Sequence, residues 1–211
     1  MSKQNIGIAI AAPGGYALDD ALLARGIARL EQQGCVVHNY YDGARKHQRF
    51  AGSDDDRLAQ LHAAARDPDI QVVVALRGQY GISRILPRID FPLMADSGKL
   101  FVGYSDFTAF HCGLLAATGA KSFAGPMICD DFIRDEPVEY TLRQFWDCLR
   151  GPTHHVRGEA PGNPPVDVAG TLWAATWPCW RTWPARATCR ASTAASSSWK
   201  TSTSTPTASS A

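Results

Sequence analysis

The chain has 211 residues, 45% of them hydrophobic, which is enough for one domain with a sizeable core or for one complete domain and part of another. Its 21 basic and 20 acidic residues leave a net charge of +1, so composition indicates no nucleic-acid or anionic-membrane surface and any ligand must be argued from a local site. The start, Met1-Ser2-Lys3-Gln4-Asn5, lacks the charged-then-apolar pattern of a secretory signal. No apolar run approaches the roughly 20 residues of a membrane span, and the expectation is a soluble cytoplasmic protein.

Ile6 to Ala11 is a short apolar strand, and Pro13-Gly14-Gly15 turns the chain into a helix over Leu18 to Gln33, whose face carries Leu18, Leu22, Leu23, Ile27 and Leu30. Cys35-Val36-Val37 begins a second strand. The polar run Tyr40 to Gly52, with its basic Arg45 to Arg49, is expected to be an exposed loop whose charge is simply solvated. Ser53 then caps a helix through Ala65, with Asp54, Asp55 and Asp56 at the positive end of its dipole rather than in a metal site.

Ile70 to Leu76 is nearly continuous in apolar residues, as suits a parallel strand covered on both faces. Arg77-Gly78-Gln79-Tyr80-Gly81 follows, a glycine-bracketed turn that lets backbone N–H groups approach a ligand, unless it is an ordinary connection. A short helix from Ile82 to Leu86 and a connector over Asp90 to Gly98 come next. Lys121 to Ala124 is a fifth strand, and Pro137 to Leu149 a helix with Val138, Leu142, Phe145, Trp146 and Leu149 toward the core. This alternation implies an α/β fold over residues 1–150, a flavodoxin-like parallel sheet flanked by helices, with its ligand site at the carboxyl ends of the strands. The six cysteines form no CxxC pair and read as reduced thiols, with Cys112 simply packing.

The most informative stretch is Leu100-Phe101-Val102-Gly103-Tyr104-Ser105-Asp106, where a buried strand gives way to a helix with Phe107, Phe110, Leu114 and Leu115 on one face. Ser105 sits at the joint, at a strand's carboxyl end and beside the free N–H groups of a helix start. A nucleophilic serine is placed there in α/β hydrolytic enzymes, and a helix-capping serine is placed there too.

From Gly151 to Pro165 the proline and glycine content reads as a linker, and Val166 to Trp173 alternates like the first strand of a further domain. His154-His155 has no ligand spacing. Residues 174–211 contain no Asp, Glu, Leu, Ile, Val or Phe, while 25 of the 38 are Ala, Ser or Thr, so they offer no aliphatic surface to offset ordering entropy. The same segment holds Trp177, Trp180, Trp183 and Trp199, which is foreign to a linker. Codons compatible with Ala174 to Trp180, read with one G restored after the Trp173 codon, give Gly-Gly-Asn-Leu-Ala-Met-Leu, and apolar patterning returns. Ser192 to Lys200 in the same way permits Ile-Asp-Gly-Gly-Ile-Leu-Phe-Leu-Glu. The expected organisation is a nucleophile-bearing domain over 1–150, a linker and first strand over 151–173, and a low-complexity, frameshifted tail over 174–211.

Arg77-Gly78-Gln79-Tyr80-Gly81 with Arg84 and Leu86, followed by Val102-Gly103-Tyr104-Ser105-Asp106-Phe107-Thr108-Ala109, resembles the LD-carboxypeptidase family of muropeptide-recycling enzymes and microcin-immunity relatives. The resemblance spans residues 5–173 and includes the Ala12-Pro13 turn. Two departures stand out: Gln79 occupies a position where the family usually has glycine, and the tail replaces a β-rich domain that supplies a Glu and a His to a Ser-Glu-His triad. The resemblance implies a class I glutamine-amidotransferase-like N-terminal domain and serine hydrolysis of the bond between meso-diaminopimelate and a terminal D-alanine in cytoplasmic murein tetrapeptides. It assigns Ser105 as nucleophile, with the backbone N–H of Asp106 and one from the Gly78-Gln79 turn as the oxyanion hole, and it implies no metal and no cofactor. His111, nearly two helical turns beyond Ser105, is not expected to reach the hydroxyl. A murein tetrapeptide is the expected partner, a homodimer is compatible with the chain, and a non-catalytic flavodoxin-like domain binding a small anionic ligand is the alternative.

Overall fold

A computed structural model describes residues 6–156 and, beyond them, two short strands. Five strands, β1 (Gly7–Ala11), β2 (Val36–Asn39), β3 (Val72–Ala75), β4 (Leu100–Gly103) and β5 (Phe123–Ala124), form one sheet in the order β2-β1-β3-β4-β5, and every pairing is parallel. The expected parallel sheet is therefore present, with the flavodoxin-like strand order. The order reverses between β1 and β3, which makes the carboxyl ends of these two strands the topological switch point of the sheet.

Period-two side-chain alternation divides the core into two layers. Ala9, Ala11, Val73 and Ala75 face Leu61 of α2 (Asp54–Arg66), Ile85 of α3 (Ile82–Ile85), Met94 of α4 (Phe91–Asp96) and Phe110 of α5 (Thr108–Thr118). Ile8, Ile10, Val72 and Val74 face Leu23 and Leu30 of α1 (Asp20–Gln32), Phe132 of the π-helical turn Ile128–Phe132 and Phe145 of α6 (Glu139–Leu149). Arg29 of α1 donates to the carbonyls of Phe132 (2.7 Å) and Arg134 (2.9 Å), which ties that turn to α1.

Ser53 caps α2 as expected: its hydroxyl accepts from the Asp56 N–H at 3.1 Å while the Asp56 carboxylate accepts from the Ser53 N–H at 3.1 Å, a reciprocal capping box. The three first-turn carboxylates also each meet an arginine: Asp54 pairs with Arg57 and Arg84, Asp55 with Arg88, and Asp56 with Arg45.

Four expectations need correction, the first being Leu18, expected on the first helix's face, which lies before α1 and is 69% exposed. The segment from Tyr40 to Gly52 is not simply exposed, because Tyr41, Phe50 and Ala51 are buried. Its basic residues are not simply solvated either, since Arg45 pairs with Asp42 and Asp56 and Lys46 lies 3.8 Å from Asp20. Val138 does not face the core: it is the residue before α6 and is 48% exposed, so the helical periodicity begins after it.

Two further strands, β6 (Val168–Gly170) and β7 (Ser197–Trp199), pair antiparallel with Val168 opposite Trp199. β6 lies within the Val166 to Trp173 segment and β7 within residues 174–211. The rest of the segment expected to be a linker and a frameshifted tail lies outside the described residues. No helix among the described residues is long and apolar enough to cross a membrane.

Candidate active site

Three turns meet at the carboxyl end of the sheet. The turn after β1 touches the turn after β3 backbone to backbone: the Gly15 N–H donates to the Gly78 carbonyl at 2.6 Å. A Cβ on Gly14 would stand 2.5 Å from that carbonyl oxygen, so no side chain fits there. Because the Gly78 carbonyl points to Gly15, the Gln79 N–H of the same trans peptide points to the opposite side.

Ser105 leaves β4 in a left-handed conformation, with φ of +58°, and opens the 3-10 turn Ser105–Phe107 that runs into α5. An L side chain with positive φ costs about 1–2 kcal/mol, and strand-to-helix turns strained in this way present the nucleophile of many α/β hydrolases. The helix start holds it: the Thr108 hydroxyl donates to the Ser105 carbonyl at 2.7 Å and the Phe107 N–H to the Tyr104 carbonyl at 3.1 Å.

The structure brings Gly78 and Ser105 together. A Cβ built on Gly78 would lie 3.0 Å from the Ser105 Oγ, 3.2 Å from its Cβ and 3.3 Å from the Asp106 Oδ1. Gln79 follows with φ of +101° and Tyr80 with +57°, so two consecutive L residues hold conformations that favour glycine. Gln79 is exposed and its stem covers Gly15.

The most informative contact was not read from sequence. The Asp106 side chain, 3% exposed, accepts from the Gly81 N–H at 2.9 Å and the Ile82 N–H at 3.4 Å. Burial pushes its carboxyl up to about 6, against the opposing pull of those N–H groups, of Arg57 and of its own backbone N–H. On the other side of the loop, the fully buried Arg57 donates to the carbonyls of Gly81 (2.7 Å) and Pro13, pairs with Asp54, and stacks its guanidinium 4.8 Å from the Phe50 ring centre. Burial lowers the Arg57 pKa, and Asp54 is its main charge partner. A polar residue after the serine and an arginine closing Asp-Asp-Asp-Arg are the only traces these roles leave in the sequence.

His111 is turned away from the hydroxyl, as expected. Its Nε2 lies 2.9 Å from the Gly103 carbonyl, which can only accept, so Nε2 carries the proton and Nδ1 accepts from the Ser122 hydroxyl at 2.8 Å. Burial lowers its pKa, consistent with that neutral form. Cys112 is buried in α5. Among the described residues, no group of three or more His, Cys, Asp or Glu is placed to hold a metal ion.

A doubly wound sheet with a left-handed serine at a strand-to-helix turn is the layout in which α/β hydrolases present a nucleophile. The LD-carboxypeptidase N-terminal domain profile matches residues 8–125, more than half of the chain, and the chain belongs to the LD-carboxypeptidase family. It is 38% identical over 128 residues to the "Probable murein peptide carboxypeptidase" of Bacillus subtilis (strain 168), covering 61% of this chain and 39% of that protein. It is 28% identical over 123 residues to the microcin C7 self-immunity protein MccF of Escherichia coli, covering 57% of this chain and 36% of the relative. Among solved structures, muramoyltetrapeptide carboxypeptidase from Oxalobacter formigenes superposes with a TM-score of 0.74 at 47% identity, over 79% of this chain and 56% of that one. The chain thus spans about half or less of the length of these relatives.

Proposed function

We propose that this chain carries the nucleophile half of a serine LD-carboxypeptidase that releases terminal D-alanine from cytoplasmic murein tetrapeptides. The observation that supports it most is the left-handed Ser105 at the end of β4 with the Gly78 backbone against its Oγ. In this reading the Ser105 Oγ attacks the carbonyl between meso-diaminopimelate and D-alanine. The N–H groups of Asp106 and of the Gly78-Gln79 turn receive the developing oxyanion, each contributing on the order of 3 kcal/mol. The C–N bond then breaks, D-alanine leaves with the proton taken from Ser105, and water releases the acyl group. A histidine oriented by a glutamate carries that proton in a Ser-Glu-His triad.

His111, bound to Gly103 and Ser122, is not that histidine. We place the Glu and His of the triad in a β-rich domain encoded one base out of register beyond codon 173, so the 211-residue chain is nearly inactive. A serine without its base keeps only the slight rate that the oxyanion hole provides. Inserting one base after codon 173 and extending the gene to its restored stop should bring D-alanine release from a tetrapeptide, and Ser105→Ala should lower that release by several orders of magnitude. Enzyme-like release by the uncorrected chain would overturn the triad assignment and place the base within residues 1–173.

A further inference from the structure

We propose that the Asp106 side chain is a positioning residue, which sets the Gly78–Gln79 turn against Ser105 by accepting the N–H groups of Gly81 and Ile82. The proposal deepens the reading of Ser105 as nucleophile and of that turn as oxyanion donor, and rests on it.

Asp106 reaches both ends of one strained turn. Its Oδ2 takes Gly81 at 2.9 Å and Ile82 at 3.4 Å, while its Oδ1 stands 3.3 Å from the point where a Gly78 Cβ would lie. That same point is 3.0 Å from the Ser105 Oγ, so nucleophile, turn and carboxylate share one small volume. Between the two ends, Gln79 and Tyr80 hold φ of +101° and +57°, each costing about 1–2 kcal/mol for an L residue. Such a turn does not hold itself, and the contacts at its far end must supply the difference. Asp106 adjoins Ser105 in the chain, so any displacement of its carboxylate is passed to both partners of the site.

Ionisation governs the grip. A carboxylate accepts through both oxygens, whereas its acid form gives up one acceptor to the proton. Charge-assisted bonds are also about twice as strong as neutral ones. Among the described residues, the charged group facing Asp106 is Arg57 of α2; α3 and the turn before it present the Gly81 and Ile82 N–H groups, and α5's own entry turn presents the Asp106 N–H. Burial outweighs that gain and raises the carboxyl to about 6, so the closed turn binds the proton more tightly than an opened, solvated one and should loosen as pH rises from 5 to 8.

Amide hydrogen exchange on the 211-residue chain tests the anchor without turnover. Corrected for intrinsic exchange rates, protection of Gly81 and Ile82 should fall at least fivefold from pH 5 to pH 8 in the wild type. Asp106→Asn, which keeps one acceptor oxygen, should leave it flat, and Asp106→Ala should lower it tenfold or more while β3 amides stay unchanged. Equal protection at both pH values in the wild type, or a fall in Asp106→Asn matching the wild type, overturns the anchor, and both readouts stand if Asp106→Ala fails to fold. In the frame-restored enzyme, Asp106→Ala, which removes both acceptor oxygens, should lower kcat at least tenfold with KM within twofold, and Asp106→Asn should remove the change in kcat near pH 6. An unchanged kcat and pH profile overturns the positioning role. If the frame-restored wild type releases no D-alanine, the functional reading fails, while the exchange result still decides whether Asp106 anchors the turn.

Discussion

The two turns that meet at the site are built differently. The β4 turn holds Ser105 with neighbours in sequence: Thr108 and Phe107 close it locally. The β3 turn holds Gln79 and Tyr80 with groups 24 or 25 positions away, the Arg57 guanidinium on one side and the Asp106 carboxylate on the other. A locally closed turn writes its chemistry into adjacent residues, whereas a remotely clamped one depends on partners whose roles no short motif declares.

If the β3 turn is clamped from a distance, removing the outer clamp should cost most. Arg57→Met keeps a long apolar stem but leaves the buried carbonyls of Pro13 and Gly81 without their donor. An unmet buried acceptor costs about 1–3 kcal/mol, so a loss of about 3 kcal/mol or more is expected in urea unfolding. A loss below about 1 kcal/mol would mean that the turn closes itself.

This contrast also explains what was legible in the sequence. Strand β3 is announced by Ile70 to Leu76 and the β4 turn by an apolar run stopping at Tyr104-Ser105, because burial on both faces and a strand-to-helix joint are local properties. Asp54, Asp55 and Asp56 read correctly as first-turn acids, but their pairing with Arg57, Arg84, Arg88 and Arg45 depends on loops that only the fold brings near. The family resemblance gives Asp106 a role only through its backbone N–H, and nothing in its neighbours signals that Gly81 will arrive against its carboxylate. Val138 was misplaced for the opposite reason, since periodicity does not reveal where the first helical turn begins.

The inner clamp should have the next largest effect, and its sign is set by pH. Asp106 has a folded-state pKa raised from 3.8 to about 6, so the native state binds the proton more tightly than the unfolded chain does. Its contribution to stability is fully present below about 3.8, declines as pH rises to about 6 and is constant above that. The shift corresponds to about 3 kcal/mol at 1.36 kcal/mol per unit. Asp106→Asn should therefore match the wild type near pH 3.5 and exceed it by up to about 3 kcal/mol at pH 8, measured as the difference between urea midpoints. A difference independent of pH would mean that Asp106 ionises as it does in the unfolded chain.

Gly78→Ala probes the point where the two turns touch. The added methyl would stand 3.0 Å from the Ser105 Oγ, so neighbours must yield by a few tenths of an ångström. Overpacking of this kind costs about 1–3 kcal/mol, and the lower chain entropy of alanine returns roughly 0.4–1. Stability should fall by only about 1 kcal/mol, while D-alanine release by the frame-restored chain should fall tenfold or more because Ser105 is displaced. Full activity would separate Gly78 from the nucleophile.

The smallest expected effect concerns Gln79, where the family resemblance implies glycine. At φ of +101° the glutamine sits where glycine is at ease, and its strain of about 1–2 kcal/mol is stored in the turn that the clamps hold down. Gln79→Gly releases that strain but gives the unfolded chain more freedom, which costs roughly 0.5–1 kcal/mol. It also removes the side-chain stem that covers Gly15. The net change should be a gain of about 0.5 kcal/mol, seen as a slightly higher urea midpoint. In an Arg57→Met background the gain should grow, because a turn with less stored strain needs less holding, and the excess over the single substitution measures how strongly clamp and strain are coupled. Equal gains in both backgrounds would show that Gln79 and Arg57 act independently, and that the remote clamp does not restrain the strained residue.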